Sequence, residues 1–191
     1  MPPATPPSKR DHLLATAWGL FYRDGYQRVG IDTLLAEAGV AKMTLYNHFK
    51  SKDELIVTLL DERNALIVAS LDRAITGAGS RPAARFLAVF DWLSEWFADE
   101  EFRGCAFIRA LSEFPDPEHP VHQAAWRFKT EFKRRLIDLV RENGARKPAA
   151  VADSLSLVID GAIVTAHGGD RSSAAATAKA TARILLEAAQ T

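Results

Sequence analysis

Apolar residues recur every three or four positions along almost the whole chain, a period that fits α-helix and little else. From Ser8 to about Asp24, Leu14, Ala17, Trp18 and Phe21 share one helical face, and Gly25 follows as a C-cap. "GIDTLLAEAG" predicts a helix over about Ile31–Ala38, with Gly30 as an N-cap that supplies no side-chain acceptor. Gly39 then permits a sharp turn at positive φ, and a second short helix runs from about Lys42 to His48. "SKDE" at 51–54 has the spacing of a capping box, in which Ser51 accepts from the Glu54 amide and Glu54 reaches back to the Ser51 amide. It opens a long helix with Ile56, Leu59, Leu60, Ile67 and Leu71 inward, ending at the glycines near 77–79.

Further helices follow over about Pro82–Ala98 and within "FRGCAFIRALSEF", then from Val121 to the Asn143-Gly144 stop. Leu155 to Ala166 and Ala178 to Ala189 mark the last two. Strand-like alternation is absent, so the expected class is all-α with about nine helices.

At 191 residues, with 48% hydrophobic and 25% charged, the composition is that of a globular domain or a small and a larger one. The 24 basic and 24 acidic side chains cancel, which excludes a chain that holds nucleic acid by bulk charge alone. A local excess remains: residues 1–52 carry seven Lys/Arg against four Asp/Glu. The single cysteine, Cys105, cannot form an internal disulfide and suits a reducing compartment. "MPPATPPSKR" lacks the apolar centre of a secretory signal, and no uninterrupted apolar run is long enough to span a bilayer. A soluble, cytoplasmic chain with a disordered tail over 1–7 is expected.

Two short helices joined by a glycine turn and braced by a longer one have the outline of a helix-turn-helix, here about 31–50. Its second helix, "KMTLYNH", is rich in hydrogen-bonding groups, with Leu45 and Phe49 as the apolar anchor pair. Such a helix is about 10 Å long and fits the major groove over a few base pairs. Thr44 has a methyl for thymine and a hydroxyl for phosphate, Asn47 can pair with adenine, and Lys42 can read guanine acceptors. Tyr46, His48 and Lys52 suit phosphate. The same outline also occurs in helical proteins that never meet DNA, where a polar short helix is a solvated connector.

"GYQRVGIDTLLAEAGVAKMTLYNHFKSKDELI", residues 25–56, closely resembles the DNA-binding signature of the TetR family of bacterial transcriptional regulators. Gly25-Tyr26, Ile31, Ala38-Gly39-Val40, Leu45-Tyr46, His48-Phe49, Lys52 and the Ser51/Glu54 pair match in order and spacing, and Ala17 to Phe21 fit the preceding helix. The resemblance implies a homodimeric repressor that binds a palindromic operator on double-stranded DNA and leaves it when a small molecule binds its C-terminal domain. It implies DNA contacts from Lys42, Thr44, Tyr46, Asn47 and His48, with Lys52 on phosphate. Two departures stand out: Gly30 and Ala41 lack the hydroxyl common at these helix starts, and Met43 replaces a small residue and offers an apolar contact to a base methyl.

The expected division is a DNA-binding domain over 8–68 and an effector-binding and dimerisation domain over 69–191. Leu155, Ile159, Ala162, Ala166, Ala178, Ala182, Leu185 and Leu186 are the expected dimer face, since small residues let helix axes approach. The alternative is that these stripes pack within one chain. Trp92, Trp96, Phe97, Phe107, Leu111, Trp126 and Ile163 are expected to wall an apolar or aromatic effector pocket, or else to be plain core. "FRGCAFIRALSEFPDPEHP" resembles a segment recurring in one branch of the family.

Cys105 is either an oxidation sensor or a buried inert thiol. His119 and His122 lack further ligands at metal spacing, and Pro120 between them suggests a loop. His167 faces a ligand or favours its helix's C-terminal end. Phosphate-binding glycine loops, nucleophile elbows and metal clusters are absent, so no enzyme, metal or cofactor is expected. A regulator without an effector, or a helical small-molecule binder, are the alternative functions.

Overall fold

The computed structural model describes residues 8–190. Nine helices and no strand occur among them. The expected tail over 1–7 lies outside the described residues. The helices are α1 (Lys9–Asp24), α2 (Ile31–Ala38), α3 (Lys42–His48), α4 (Lys52–Gly77), α5 (Pro82–Ala98), α6 (Ala106–Glu113), α7 (Pro120–Glu142), α8 (Pro148–His167) and α9 (Arg171–Gln190). Start signals recur where the sequence offers them. Ser8 caps α1 by accepting from the Asp11 amide while Asp11 accepts from the Ser8 amide, and Pro82 and Pro148 open their helices. Pro120, expected in a loop, is instead the first residue of α7, where its missing N–H costs nothing.

The chain divides into two compact units. One holds the described residues up to Arg63 together with Ala106–Trp126; the other holds Asn64–Cys105 and the chain from Arg127 onward. The expected functional boundary at 68/69 lies five residues beyond the first break between these compact units. Helix α6 and the start of α7 pack with the N-terminal helices, a long-range association that local periodicity does not encode. Tyr26 donates from its hydroxyl to the Ala106 carbonyl at 3.2 Å, and the Glu113 carboxylate accepts from the Gln27 amide at 2.6 Å.

Within the second unit, α9 lies against both α8 and α5. Ala174, Ala175, Ala178 and Ala182 supply its buried stripe, whose small side chains permit close approach of the neighbouring helices. Ion pairs staple these helices: Arg85 with Glu142 at 3.0 Å, Lys179 with Asp91, and Lys129 with Asp160. Helix α8 is long and apolar enough to cross a membrane by composition alone, but Leu155, Ile159, Ala162 and Ile163 bury one side of it in this unit.

Candidate nucleic-acid interface

The first unit's core is built from Leu13, Leu14, Ala17, Leu20 and Phe21 of α1, met by Leu34 and Leu35 of α2 and Leu45 of α3. Gly39 makes the turn at φ 62°, its amide reaching Ala36 while the Val40 amide reaches Leu35. That turn leaves the end of α2 with its Ala38 carbonyl bonded to His12 Nε2 of α1 at 3.0 Å. His12 is thus a positioning residue. Nothing in local spacing reveals it, since its partner lies 26 residues away.

Helix α3 then presents what the sequence suggests. Leu45 and Phe49 are buried, whereas Met43 is 69% exposed, Tyr46 43% exposed, and Lys42, Asn47 and His48 stand outward. Thr44 is half-buried, so only part of its side chain faces solvent. Neither Gly30 nor Ala41 makes a side-chain cap, which leaves the first amides of α2 and α3 without that partner. Amides at helix starts suit anions, and here they stand without a competing hydroxyl.

Lys52 sits differently from the α3 residues. It is half-buried with its ammonium 5.9 Å from the centre of the Phe21 ring, and burial pushes its pKa below the ordinary lysine value against the pull of Asp53 and Glu113. The cap beside it also departs from expectation. Ser51 Oγ accepts from the Glu54 amide at 3.1 Å as expected, but Glu54 accepts from the Lys50 amide at 2.6 Å rather than from Ser51. The carboxylate reaches one residue further back and ties down the segment joining α3 to α4.

Helix α6 holds the far end of α1. Arg109 donates to the carbonyls of Phe21 and Tyr22 at 3.1 and 2.9 Å; the Phe21 carbonyl also accepts the Gly25 amide, and that of Tyr22 is one of the groups a helix end leaves open. Gly25, at φ 95°, lies so close to Glu113 that an added Cβ would meet its carboxylate oxygen at 2.8 Å. The backbone conformation is what demands glycine there, since the carboxylate is the far end of a side chain that can move aside. Arg109 and Glu113 were missing from the expected site because neither belongs to the helix-turn-helix signature. His119 and His122 serve this unit's packing: His119 pairs with Asp53 at 3.4 Å and His122 bonds the Phe114 carbonyl at 2.7 Å.

In the second unit, Trp92, Trp96 and Ile163 line an apolar cavity of about 30 Å³ together with Phe128, Phe132 and Cys105. The other expected pocket residues need correction. Phe97 is fully buried and packs on Phe102 at 5.2 Å. Phe107, Leu111 and Trp126 belong to the first unit, Phe107 in full burial and Trp126 60% exposed. Aromatic residues at helical spacing filled three different roles. His167 packs edge-on to Phe102, its ring beside Gly104.

Most residues expected at the dimer face are buried within the chain. Leu155, Ile159, Ala162, Ala166, Ala178, Ala182 and Leu186 are buried within the chain and Leu185 is half-buried, because α8 and α9 use these stripes on each other. The apolar side chains left outside are Leu157 at 75%, Val164 at 60% and Ile184 at 65% exposure.

A bundle whose N-terminal unit presents a short polar helix after a glycine turn defines a helix-turn-helix protein, and known proteins agree. Residues 13–59 match the family profile described as "Bacterial regulatory proteins, tetR family". A TetR-family transcriptional regulator from Streptomyces coelicolor has a closely similar structure: TM-score 0.91 and 33% identity, covering 96% of each chain. The chain belongs to the TetR family of bacterial transcriptional regulators. Among curated relatives, the Escherichia coli regulator YjdC is 34% identical over 79 residues, 41% of this chain and 41% of that protein. The E. coli repressor NemR is 27% identical over 116 residues, 60% of this chain and 58% of that protein. The matched stretches thus span about half the length of these curated relatives.

Proposed function

We propose that this chain is a dimeric, sequence-specific DNA-binding repressor acting in the cytoplasm, released from its operator by a small apolar effector. The observation that carries the reading is the presentation of α3, with Leu45 buried while Lys42, Met43, Tyr46, Asn47 and His48 face outward. Lys42 and Asn47 read base edges, Met43 meets a thymine methyl, and Thr44 contributes through whichever of its methyl and hydroxyl is presented. Tyr46, His48 and the half-buried Lys52 bind phosphate and set register.

Dimerisation uses the outward side of α8 and α9. Leu157, Gly161 and Val164 are spaced four and three apart, on one face of α8. An added Cβ at Gly161 would meet nothing within 4 Å, so packing inside the chain does not demand the glycine. Close approach of a second helix would. Effector response passes along the chain: Cys105 lines the cavity, and the next residue, Ala106, opens α6, whose Arg109 and Glu113 hold the end of α1. A shift of α6 would alter how α1 supports α3, and coupling of about 1–3 kcal/mol suffices to weaken operator binding 5- to 150-fold.

A regulator that answers to no small molecule is the second reading, favoured by the small cavity. Footprinting on the DNA flanking the protein's own gene tests the proposal. A palindrome with half-site centres roughly 34–36 Å apart is expected, and its protection should be lost with an apolar effector. Protection of a single half-site would refute the dimeric reading. Protection indifferent to every apolar compound would favour the second reading.

A further inference from the structure

Where the start of α8 lies against the end of α9, the second unit carries a groove of about 380 Å³. Its apolar surface comes from Ala150 and Val151 of α8 and from Leu185, Ala188 and Ala189 of α9, and the short alanine side chains leave it hollow. Arg146 and Lys147 are the only charged residues in its lining. Both are exposed, and neither makes an ion pair with a carboxylate of the described residues. The Arg146 amide donates to the Ala189 carbonyl at 3.1 Å, which fixes this end of the groove. Ala150 and Ala188 are exposed as well, so the groove opens outward rather than enclosing its occupant as a small-molecule site does.

A ridge of complementary character borders it. Ile184 is 65% exposed, and Glu187, three residues on along the same side of α9, is exposed and pairs with no cation of the described residues. Each directly precedes a groove residue, Leu185 or Ala188. On α8, Ala150, Ser154, Leu157, Gly161 and Val164 recur at intervals of four, three, four and three, the alternation of a seam that receives a second helix. All but the half-buried Ser154 are exposed. The groove is the end of that seam.

We propose that the groove takes the same ridge from a second copy of this chain. The partner's Ile184 fills the alanine hollow, and the partner's Glu187 meets Arg146 and Lys147. The inference rests on the dimeric reading above and assigns the contacts that hold the dimer. Under a two-fold axis each protomer gives its ridge and receives the other's, which requires ridge and groove side by side on one surface, as they are here. Charge is matched as well: two cations without a carboxylate in the groove, a carboxylate without a cation on the ridge.

Charge reversal in the full chain tests the pairing. Glu187→Arg in one variant, and Arg146→Glu with Lys147→Glu in another, should each weaken self-association in sedimentation equilibrium by more than about tenfold, because like charges then meet twice per dimer. Mixed together, the two variants should form a heterodimer about as tight as the unaltered dimer, since both contacts again join opposite charges. Ile184→Ala should cost about tenfold through the hollow it leaves on each side. Self-association indifferent to either reversal, or two weakened variants that fail to pair with each other, would overturn the inference. So would an Ile184→Ala chain that associates as tightly as the unaltered one, a result that decides even if a reversed variant does not fold. An unaltered chain that stays monomeric removes the dimeric reading itself. A dimer broken by Leu157→Glu with Val164→Glu yet indifferent to both reversals keeps that reading and removes only the ridge and groove.

Discussion

Helices α3 and α8 treat their apolar residues in opposite ways. In α3 a single leucine, Leu45, is buried and nearly everything else faces outward, so the helix is held by little and offers much. In α8 the apolar residues divide: Leu155, Ile159 and Ile163 are buried, while Leu157 and Val164 remain outside. An exposed polar row on a braced helix points to a polar partner. An exposed apolar row on a helix whose core face is already filled points to a second protein surface.

The sharpest way to break that comparison is to shorten one leucine on each helix. Leu45→Ala should cost about 2–5 kcal/mol of unfolding free energy, whereas Leu157→Ala should stay within about 0.5 kcal/mol for the isolated chain. Urea unfolding read on the monomer checks both, and equal costs would erase the distinction. Next in size is a charge on the outer row. Leu157→Glu with Val164→Glu should leave helicity intact and convert the dimer to monomer in sedimentation; an unchanged dimer would move the interface elsewhere.

On α3, Asn47→Ala should leave stability unchanged and lose about 1–3 kcal/mol of discrimination at one base position. Equal loss across all positions in a substituted-operator binding series would make Asn47 a phosphate contact instead. The smallest effect concerns acid. Hydrogen bonds from Asn64 and Arg135 hold the Glu131 carboxyl below the usual carboxylate range. A depressed folded-state pKa stabilises fully above the unfolded value, and that contribution is lost as pH falls through the folded value. Glu131→Gln should therefore lower stability slightly at neutrality, change it least at low pH where the contribution is already lost, and so flatten the acid limb of a stability-versus-pH curve.

Much of the first unit was legible because its determinants are local. Gly39 sets the turn, Leu45 and Phe49 the anchors, and Ser51 the next helix start, all within a few residues of what they control. What escaped was long-range. The bonds from Arg109 to α1 and from Gln27 to Glu113 cross more than 80 residues, and no periodicity announces them. In the second unit the small-residue stripes on α8 and α9 were visible, but not which surface they would meet. Helical spacing identifies a face without naming its partner: most of the stripe expected at a dimer surface is buried within the chain, where α8 and α9 meet. Trp126 shows the same limit: expected in a pocket wall, it lies 60% exposed.

The central claim is that α3 reads DNA, and fluorescence anisotropy with a duplex from the flank of the protein's own gene tests it most directly. The account predicts saturable binding by two chains per duplex, tighter than to a scrambled duplex of equal length, and weakening steeply as salt rises. His48→Ala and Lys52→Ala should lower affinity for both duplexes and flatten the salt slope, while preference for the native duplex survives. Binding with no preference over the scrambled duplex, or affinity indifferent to every outward residue of α3, would contradict it.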